Sequence, residues 1–399
     1  MTIEYLPQGV KCNLKCAYCY QDAMRDAGNF APLVEWERVK KQIDKSGSGF
    51  TLFGGEALLT PMKHLEEVFA YGLEKFGQNG IQTNGLLINE DHIGIFKKYK
   101  VHVGVSVDGV GEMNEPRCSA EDTKKIITNI SRLCSEGIIP SLILTVHRKS
   151  AQLSKMMAFM HFLGKYGVKS FNFHILETDN EKVRQKLQLT NMENFDFYKG
   201  IYDFCKSEKF HVNPFADIKA LLTQEAPNVS CIWGACDPLQ TAAVQGIKGD
   251  GELANCGRTN KDGVDWAKTT GTSKERYVAL YRTPQEFGGC KDCRYFFACK
   301  GQCPGTAIDG DWRNKTVHCS FWYNLMQYIE HDLRKSGEQV LSHPVMEEKG
   351  KNIGKQYMPS HGHADTPHMD VPHTDWHNDH SDTPVYNLAE LYNDTKTRL

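Results

Sequence analysis

Three cysteines within eight residues constrain this chain more than any other feature of it. Cys12, Cys16 and Cys19 are spaced C-x3-C-x2-C, directly after a predicted strand over residues 3–9. A loop this short can wrap three thiolates around one cubane iron–sulfur cluster, and three ligands leave the fourth iron open to a substrate atom. A structural zinc site needs four closed ligands, and no fourth Cys or His lies nearby in sequence. The chain carries 14 Cys, eleven of which fall at 12/16/19 and between 231 and 319. The opening residues, MTIEYLPQGVKCNLKC, lack the basic-then-apolar order of a secretory signal. Clustered thiols in such a chain read as soft-metal ligands rather than disulfides, and the expected location is the cytoplasm.

Hydrophobic patterning supplies the frame. Short apolar runs at 3–9, 50–53, 80–83, 101–107, 141–146 and 170–176 alternate with helix-like segments near 33–46, 61–76, 89–99, 119–136 and 151–166. Several of those segments stop at glycine, as at Gly77, Gly137 and Gly167. Strand–helix alternation predicts an α/β fold with a parallel sheet, and six units would make a partial barrel with ligands at the strand C-terminal ends. Residues 181–227 read as a helical connector. From Asn228 to Tyr323 the chain turns irregular, Gly-rich and Cys-rich, a region too small in core to hold without metal. With 47 basic against 49 acidic residues, no whole-chain field exists to attract nucleic acid or an anionic membrane. No run of about eighteen apolar residues marks a membrane span.

The segment CNLKCAYCY, with Tyr18 just before the third Cys, resembles the signature of radical S-adenosylmethionine enzymes. Gly54-Gly55-Glu56 follows the second predicted strand and is similar to the family's GGE motif, which contacts the methionine amino group. Gln82-Thr83-Asn84-Gly85 ends the third strand, where the family often has a polar turn. Val105-Ser106-Val107-Asp108-Gly109 ends the fourth and resembles the ribose-binding segment, with Ser106 and Asp108 two apart on one face of a strand. The resemblance implies a (β/α)6 TIM-like partial barrel over residues 1–180. It implies a [4Fe–4S] cluster on Cys12, Cys16 and Cys19, and S-adenosylmethionine held by Tyr18, Gly54, Gly55, Glu56, Ser106 and Asp108. It also implies hydrogen abstraction by a 5′-deoxyadenosyl radical.

The later cysteines continue the pattern. Cys231 and Cys236 precede Gly251-x4-Cys256, then Cys290-x2-Cys293-x5-Cys299-x3-Cys303 and finally Cys319. This layout is similar to the SPASM extension of the same enzymes and implies a small irregular α+β domain over 228–325. The interleaved pattern of that extension would assign Cys231, Cys236, Cys256 and Cys303 to one auxiliary [4Fe–4S] cluster. Cys290, Cys293, Cys299 and Cys319 would hold a second, making three clusters in all. Eight thiols could alternatively fill two zinc ribbons. Cys118, Cys134 and Cys205 read as ordinary buried thiols.

Enzymes of this kind mostly modify peptides. In the sulfatase maturases among them an Asp serving as general base follows the Cys of the G-x4-C element, whereas here Gly257 and Arg258 follow Cys256. That departure favours crosslinking of a ribosomally made precursor peptide, as a thioether or carbon–carbon cyclophane, over formylglycine formation. A non-catalytic iron–sulfur electron carrier is the reading from a different class, and the three-thiol loop speaks against it. The implied partners are the precursor peptide, an electron donor of flavodoxin or ferredoxin type, and another chain or surface for leader recognition. No catalytic base is assigned; His147, His174 and Glu177 merely sit near strand C-termini. Residues 340–399 form a low-complexity tail, whose stretch 361–384 holds six His and five Asp among 24 residues. It is too polar to fold alone, though it could bind a borderline metal. Its Trp376-His377-Asn378 is similar to an aromatic-x-Asn crosslinking motif.

Overall fold

The computed structural model describes residues 2–22, 25, 34–225, 227–234, 236, 244–254, 256–258, 275–282 and 289–342. The His/Asp-rich stretch from His361, with its Trp376-His377-Asn378, lies outside them.

Six strands appear where the apolar runs predict them: β1 (Thr2–Leu6), β2 (Phe50–Leu52), β3 (Asn79–Thr83), β4 (Val101–Ser106), β5 (Ser141–Val146) and β6 (Ser170–Ile175). Between them run the helices α1 (Trp36–Ser46), α2 (Met62–Phe76), α3 (Glu90–Lys98), α4 (Ala120–Ser135) and α5 (Leu153–Lys165). Their ends follow local chemistry. Asn89 and Ser119 accept from the backbone N–H of His92 and Asp122 to start α3 and α4. Gly77, Gly137 and Gly167 all take left-handed φ at or just past helix ends.

The sheet has nine strands in the order β7-β6-β5-β4-β3-β2-β1-β8-β9 and stays open. Every pairing is parallel except the last. Three strands come from stretches expected to lie outside the barrel. β7 (His211–Asn213) extends the β6 edge, while β8 (Val244–Lys248) pairs in parallel with β1 and carries β9 (Leu253–Ala254) on its far side. The sheet therefore runs through the boundaries drawn at 180 and 228, and the first cysteine loop and the Cys-rich region share one hydrogen-bonded frame.

Strand periodicity sorts the two faces. On β6, Phe171, Phe173 and Ile175 are buried while Ser170, Asn172 and His174 are half-buried. On β4, Val103 and Val105 are fully buried and Ser106 is half-exposed. Buried side chains such as Ile126, Ile130, Met160 and Leu163 continue one core from sheet to helices. The opposite, polar face is left as a lumen. The remaining helices α6 (Glu181–Leu187), α7 (Asn191–Glu208), α8 (Phe215–Thr223), α9 (Glu275–Arg282), α10 (Phe296–Cys299) and α11 (Cys319–Lys335) build up the far end. Thr190 and Glu193 close a capping box on α7. Phe321, Leu325, Met326 and Ile329 of α11 join the main core. Trp233 is fully buried, its indole N–H donating to Asp217 on α8 at 3.1 Å, which anchors the Cys231 turn.

Candidate active site

The first cysteine loop leaves β1 and is held from two sides. The Gly55 and Glu56 N–H groups donate to the carbonyls of Gly9 and Lys11 at 2.9 and 2.8 Å. A Cβ on Gly54 would fall 2.5 Å from the Gly9 oxygen, and one on Gly55 would fall 2.3 Å from both the Val10 and Lys11 oxygens. The two glycines are thus required because loop backbone lies directly against them. Ala17 N–H donates to Pro116 O at 2.7 Å, tying the other side to the segment after β4.

Glu56 is 1 % exposed. Its carboxylate accepts from Leu58 N, Thr83 Oγ1 and Asn84 N at 2.9, 2.7 and 2.7 Å, joining the ends of β2 and β3. Burial still pushes its pKa up, opposed by those three hydrogen bonds. Asn84 Nδ2 reaches Asn13 Oδ1 at 2.8 Å and Cys12 Sγ at 3.9 Å, so the polar turn of β3 supports the thiol loop.

Ser106 and Asp108 are placed differently. Ser106 remains half-exposed at the end of β4. Asp108 is fully buried and accepts from Arg117 Nη2 at 3.3 Å, Thr145 N at 2.8 Å, His147 Nε2 at 3.4 Å and the Tyr18 hydroxyl. Burial would raise this carboxyl, but the Arg117 charge and the hydrogen bond from His147 outweigh it and hold the pKa at about 2. Four donors fill the lone pairs of a carboxylate, so Asp108 organises Tyr18, Arg117 and His147 rather than offering itself to a ribose. Tyr18 lies beneath the Arg117 guanidinium, 5.7 Å from its ring centroid.

No cysteine forms a disulfide. Among the described residues, no three His, Cys, Asp or Glu side chains gather tightly enough for a single metal ion. Several thiols instead raise one another's pKa values. Cys12 and Cys16 are each pushed up first by burial, then by neighbours that include each other or Cys19. Cys231, Cys256 and Cys303 are raised by burial and by one another or Cys236. Cys290, Cys299 and Cys319 are likewise raised by burial and by members of the group completed by Cys293. Buried thiols with raised pKa values need a metal charge to be held as thiolates, and a soft all-sulfur donor set fits iron–sulfur clusters. Cys319 additionally opens α11, whose N-terminal dipole favours a thiolate. The glycine of the G-x4-C element has a packing reason: a Cβ on Gly251 would meet Arg38 Cβ at 2.6 Å.

At the strand C-terminal end, β6 meets the Cys-rich region around a small cavity lined by His174, Glu177, Arg258, Gln302, Cys303 and His318, among others. Arg258 donates from Nη2 to His174 Nδ1 at 3.2 Å and sets its Nε 3.3 Å from Glu177 Oε2, an ion pair without hydrogen-bond geometry. Burial, then the Arg258 charge, lowers His174 to about 3, so the ring is neutral. Glu4, on β1, is pushed up to about 7 by burial against the Arg258 charge. Tyr20 packs on Gly257, where a Cβ would lie 2.6 Å from its ring. Spacing alone does not expose Glu4, Tyr20, Arg117 or Arg258. The only sequence signals are the alternation that turns Glu4 to the polar face and the departure of Gly257-Arg258 from the maturase pattern.

Residues 6–163 match the Radical SAM superfamily. The match to that superfamily over this stretch implies a [4Fe–4S] cluster and S-adenosylmethionine. A serine-type anaerobic sulfatase-maturating enzyme of Bacteroides thetaiotaomicron is 23% identical over 371 residues, covering 81% of this chain and 88% of that protein. Among solved structures, native anSMEcpe with bound AdoMet and Cp18Cys peptide superposes with a TM-score of 0.67 at 18% identity, covering 84% of this chain and 99% of that one. Streptococcus suis SuiB bound to its precursor peptide SuiA gives 0.55 at 15% identity, with 80% and 75% covered. At those identities the structures establish the shared fold. No helix among the described residues is long and apolar enough to cross a membrane.

Proposed function

We propose that this radical SAM enzyme is a maturase with three [4Fe–4S] clusters that oxidatively crosslinks a ribosomally made precursor peptide. What supports the reading is eleven thiols outside any disulfide, three in the first loop and eight in the Cys-rich region that the SPASM resemblance assigns to two sets of four, with eight of the eleven raised by burial and by neighbouring thiols. Cys12, Cys16 and Cys19 would hold the cluster with an open iron. The other two sets would hold protein-ligated clusters suited to passing electrons.

S-adenosylmethionine, when bound beside this loop, would supply the chemistry of radical hydrogen abstraction. The chain's own residues orient and shelter it. Gly54, Gly55 and Glu56 present backbone beside the cysteine loop, Tyr18 covers its inner side, and Ser106 is the polar group left on the lumen at the end of β4. Asp108 supports them from behind through Tyr18 and Arg117. The lumen end formed by Glu4, Arg258, Glu177 and His174 faces the place for a peptide side chain.

The relatives named as sulfatase maturases favour a second reading, formylglycine formation. Against it, the Tyr20 ring occupies the space a side chain at 257 would need, so the position of the maturase base is closed as well as vacant. Anaerobic reconstitution tests both levels. The proposal expects about twelve irons per chain and 5′-deoxyadenosine on adding cofactor and dithionite. It further expects co-expressed short peptides encoded beside the gene to lose two hydrogens per crosslink. Zinc in place of iron, or no 5′-deoxyadenosine, overturns the enzyme; conversion of a sulfatase Cys or Ser to formylglycine overturns the crosslinking.

A further inference from the structure

The first cysteine loop is closed by a single guanidinium. Arg25, whose side chain is 13% exposed, donates from Nε to the carbonyl of Val10 at 3.0 Å, where the loop begins. Its Nη1 pairs with Asp22, just past the last cysteine. The remaining arm, Nη2, points at Cys19 Sγ at 3.6 Å. The other thiols are supported differently. Cys12 accepts from Leu14 N at 3.4 Å and lies at the long reach of Asn84, and Cys16 is near the Arg117 charge. Of the three loop thiols, Cys19 is the one with a charged N–H donor directed at its sulfur among the described contacts.

A guanidinium stays charged at any working pH and holds its donors in a rigid fork. With two arms fixed on Val10 and Asp22, the third cannot swing away from Cys19. Hydrogen bonds to ligand sulfurs are among the determinants of iron–sulfur reduction potential. Reduction adds one electron to the cluster, and a fixed cation stabilises the added negative charge. Asp22 opposes this by neutralising the same guanidinium.

We propose that Arg25 is a positioning residue that raises the reduction potential of the cluster on Cys12, Cys16 and Cys19 by N–H···S donation to Cys19, with Asp22 as the opposing charge. This rests on the reading that those three thiols ligate a cluster. Its consequence is an easier entry for the electron that starts cofactor cleavage, independent of which peptide is modified.

The test uses the full chain, reconstituted anaerobically, with iron measured and the cluster that responds to S-adenosylmethionine followed by EPR during a redox titration. In Arg25→Gln the reduced-to-oxidised ratio at a fixed potential should fall about tenfold, equal to about 59 mV for a one-electron couple, at unchanged iron content. Arg25→Lys, keeping charge without the fork, should fall between. Asp22→Asn should shift the other way. If Arg25→Gln loses the cluster because the loop opens, the upward shift in Asp22→Asn still decides. Midpoints of Arg25→Gln and Asp22→Asn equal to that of the unsubstituted enzyme overturn the role of Arg25. An unsubstituted protein loaded with iron yet lacking any cofactor-responsive signal overturns the ligand assignment, and the proposal with it.

Discussion

The sheet of residues 2–175 and the Cys-rich stretch of 275–318 are held by opposite means. In the sheet, Ile3, Val103, Leu144 and Phe171 are fully buried, and the helices add a continuous apolar layer. Among its described residues the Cys-rich stretch lends Tyr295 and Ala298 to the main core and otherwise has a small separate cluster of Leu280, Cys290 and Phe296. Its order comes from Arg276, 1% exposed, which donates to the carbonyls of Trp312, Lys300, Gly301 and Asn314 at 2.6, 3.2, 3.2 and 3.3 Å. A second polar hub sits at Glu330, which accepts from Arg294, Arg334 and Tyr295. Apolar burial needs bulk and periodicity; a chain bending every few residues to present thiols has neither. Polar hubs take its place.

That contrast is broken most severely by taking the metal away. Chelating iron from the reconstituted enzyme should raise hydrogen exchange throughout 289–318 and leave β3 to β6 protected; uniform protection, or uniform loss, would erase the distinction. Next, Arg276→Leu orphans four carbonyls and should cost on the order of 4 kcal/mol in denaturant unfolding. Phe171→Ala should cost about 3–5 kcal/mol through its cavity. Similar losses from unlike causes are separated by iron content, which should drop in the first variant and hold in the second. Gly257→Val, forced against Tyr20, should cost about 1–3 kcal/mol without creating formylglycine activity.

The smallest effect is on pH dependence. His174 titrates at about 3 and His318, lowered by burial, at about 4. Unfolded chain binds their protons below about 6.5 while the folded chain does not. Stability should therefore be undiminished by them above that pH and decline as pH falls toward 4. In a thermal series from pH 7.5 to 5, His174→Asn should flatten the decline, and an unaltered slope would deny the buried neutral ring.

Much of this was legible in the residues, because β-strand and helix periods are local. Six strands and five helices lie within a few positions of the expected bounds. β7 and β8 were not legible. Three and five residues long, they carry too little pattern to announce partners that are, for β8, more than two hundred residues away. The saturation of Asp108 was hidden for a related reason: Tyr18, Arg117, and Thr145 with His147 reach it from three separate segments. The Arg258–Glu177–His174 group likewise converges only in three dimensions.

The pairing of β1 with β8 has a geometric consequence. Register runs from Thr2↔Val244 to Leu6↔Lys248. One strand then opens into the Cys12 loop, and the other turns through β9 toward Cys256. A single ladder of backbone bonds thus acts as a ruler between the first thiol loop and the turn that carries Cys256. Slipping that ladder by one residue would turn Glu4 to the opposite face and shift the ruler by about 3.3 Å, so the separation of the two thiol-bearing segments is written in the alignment of two five-residue strands.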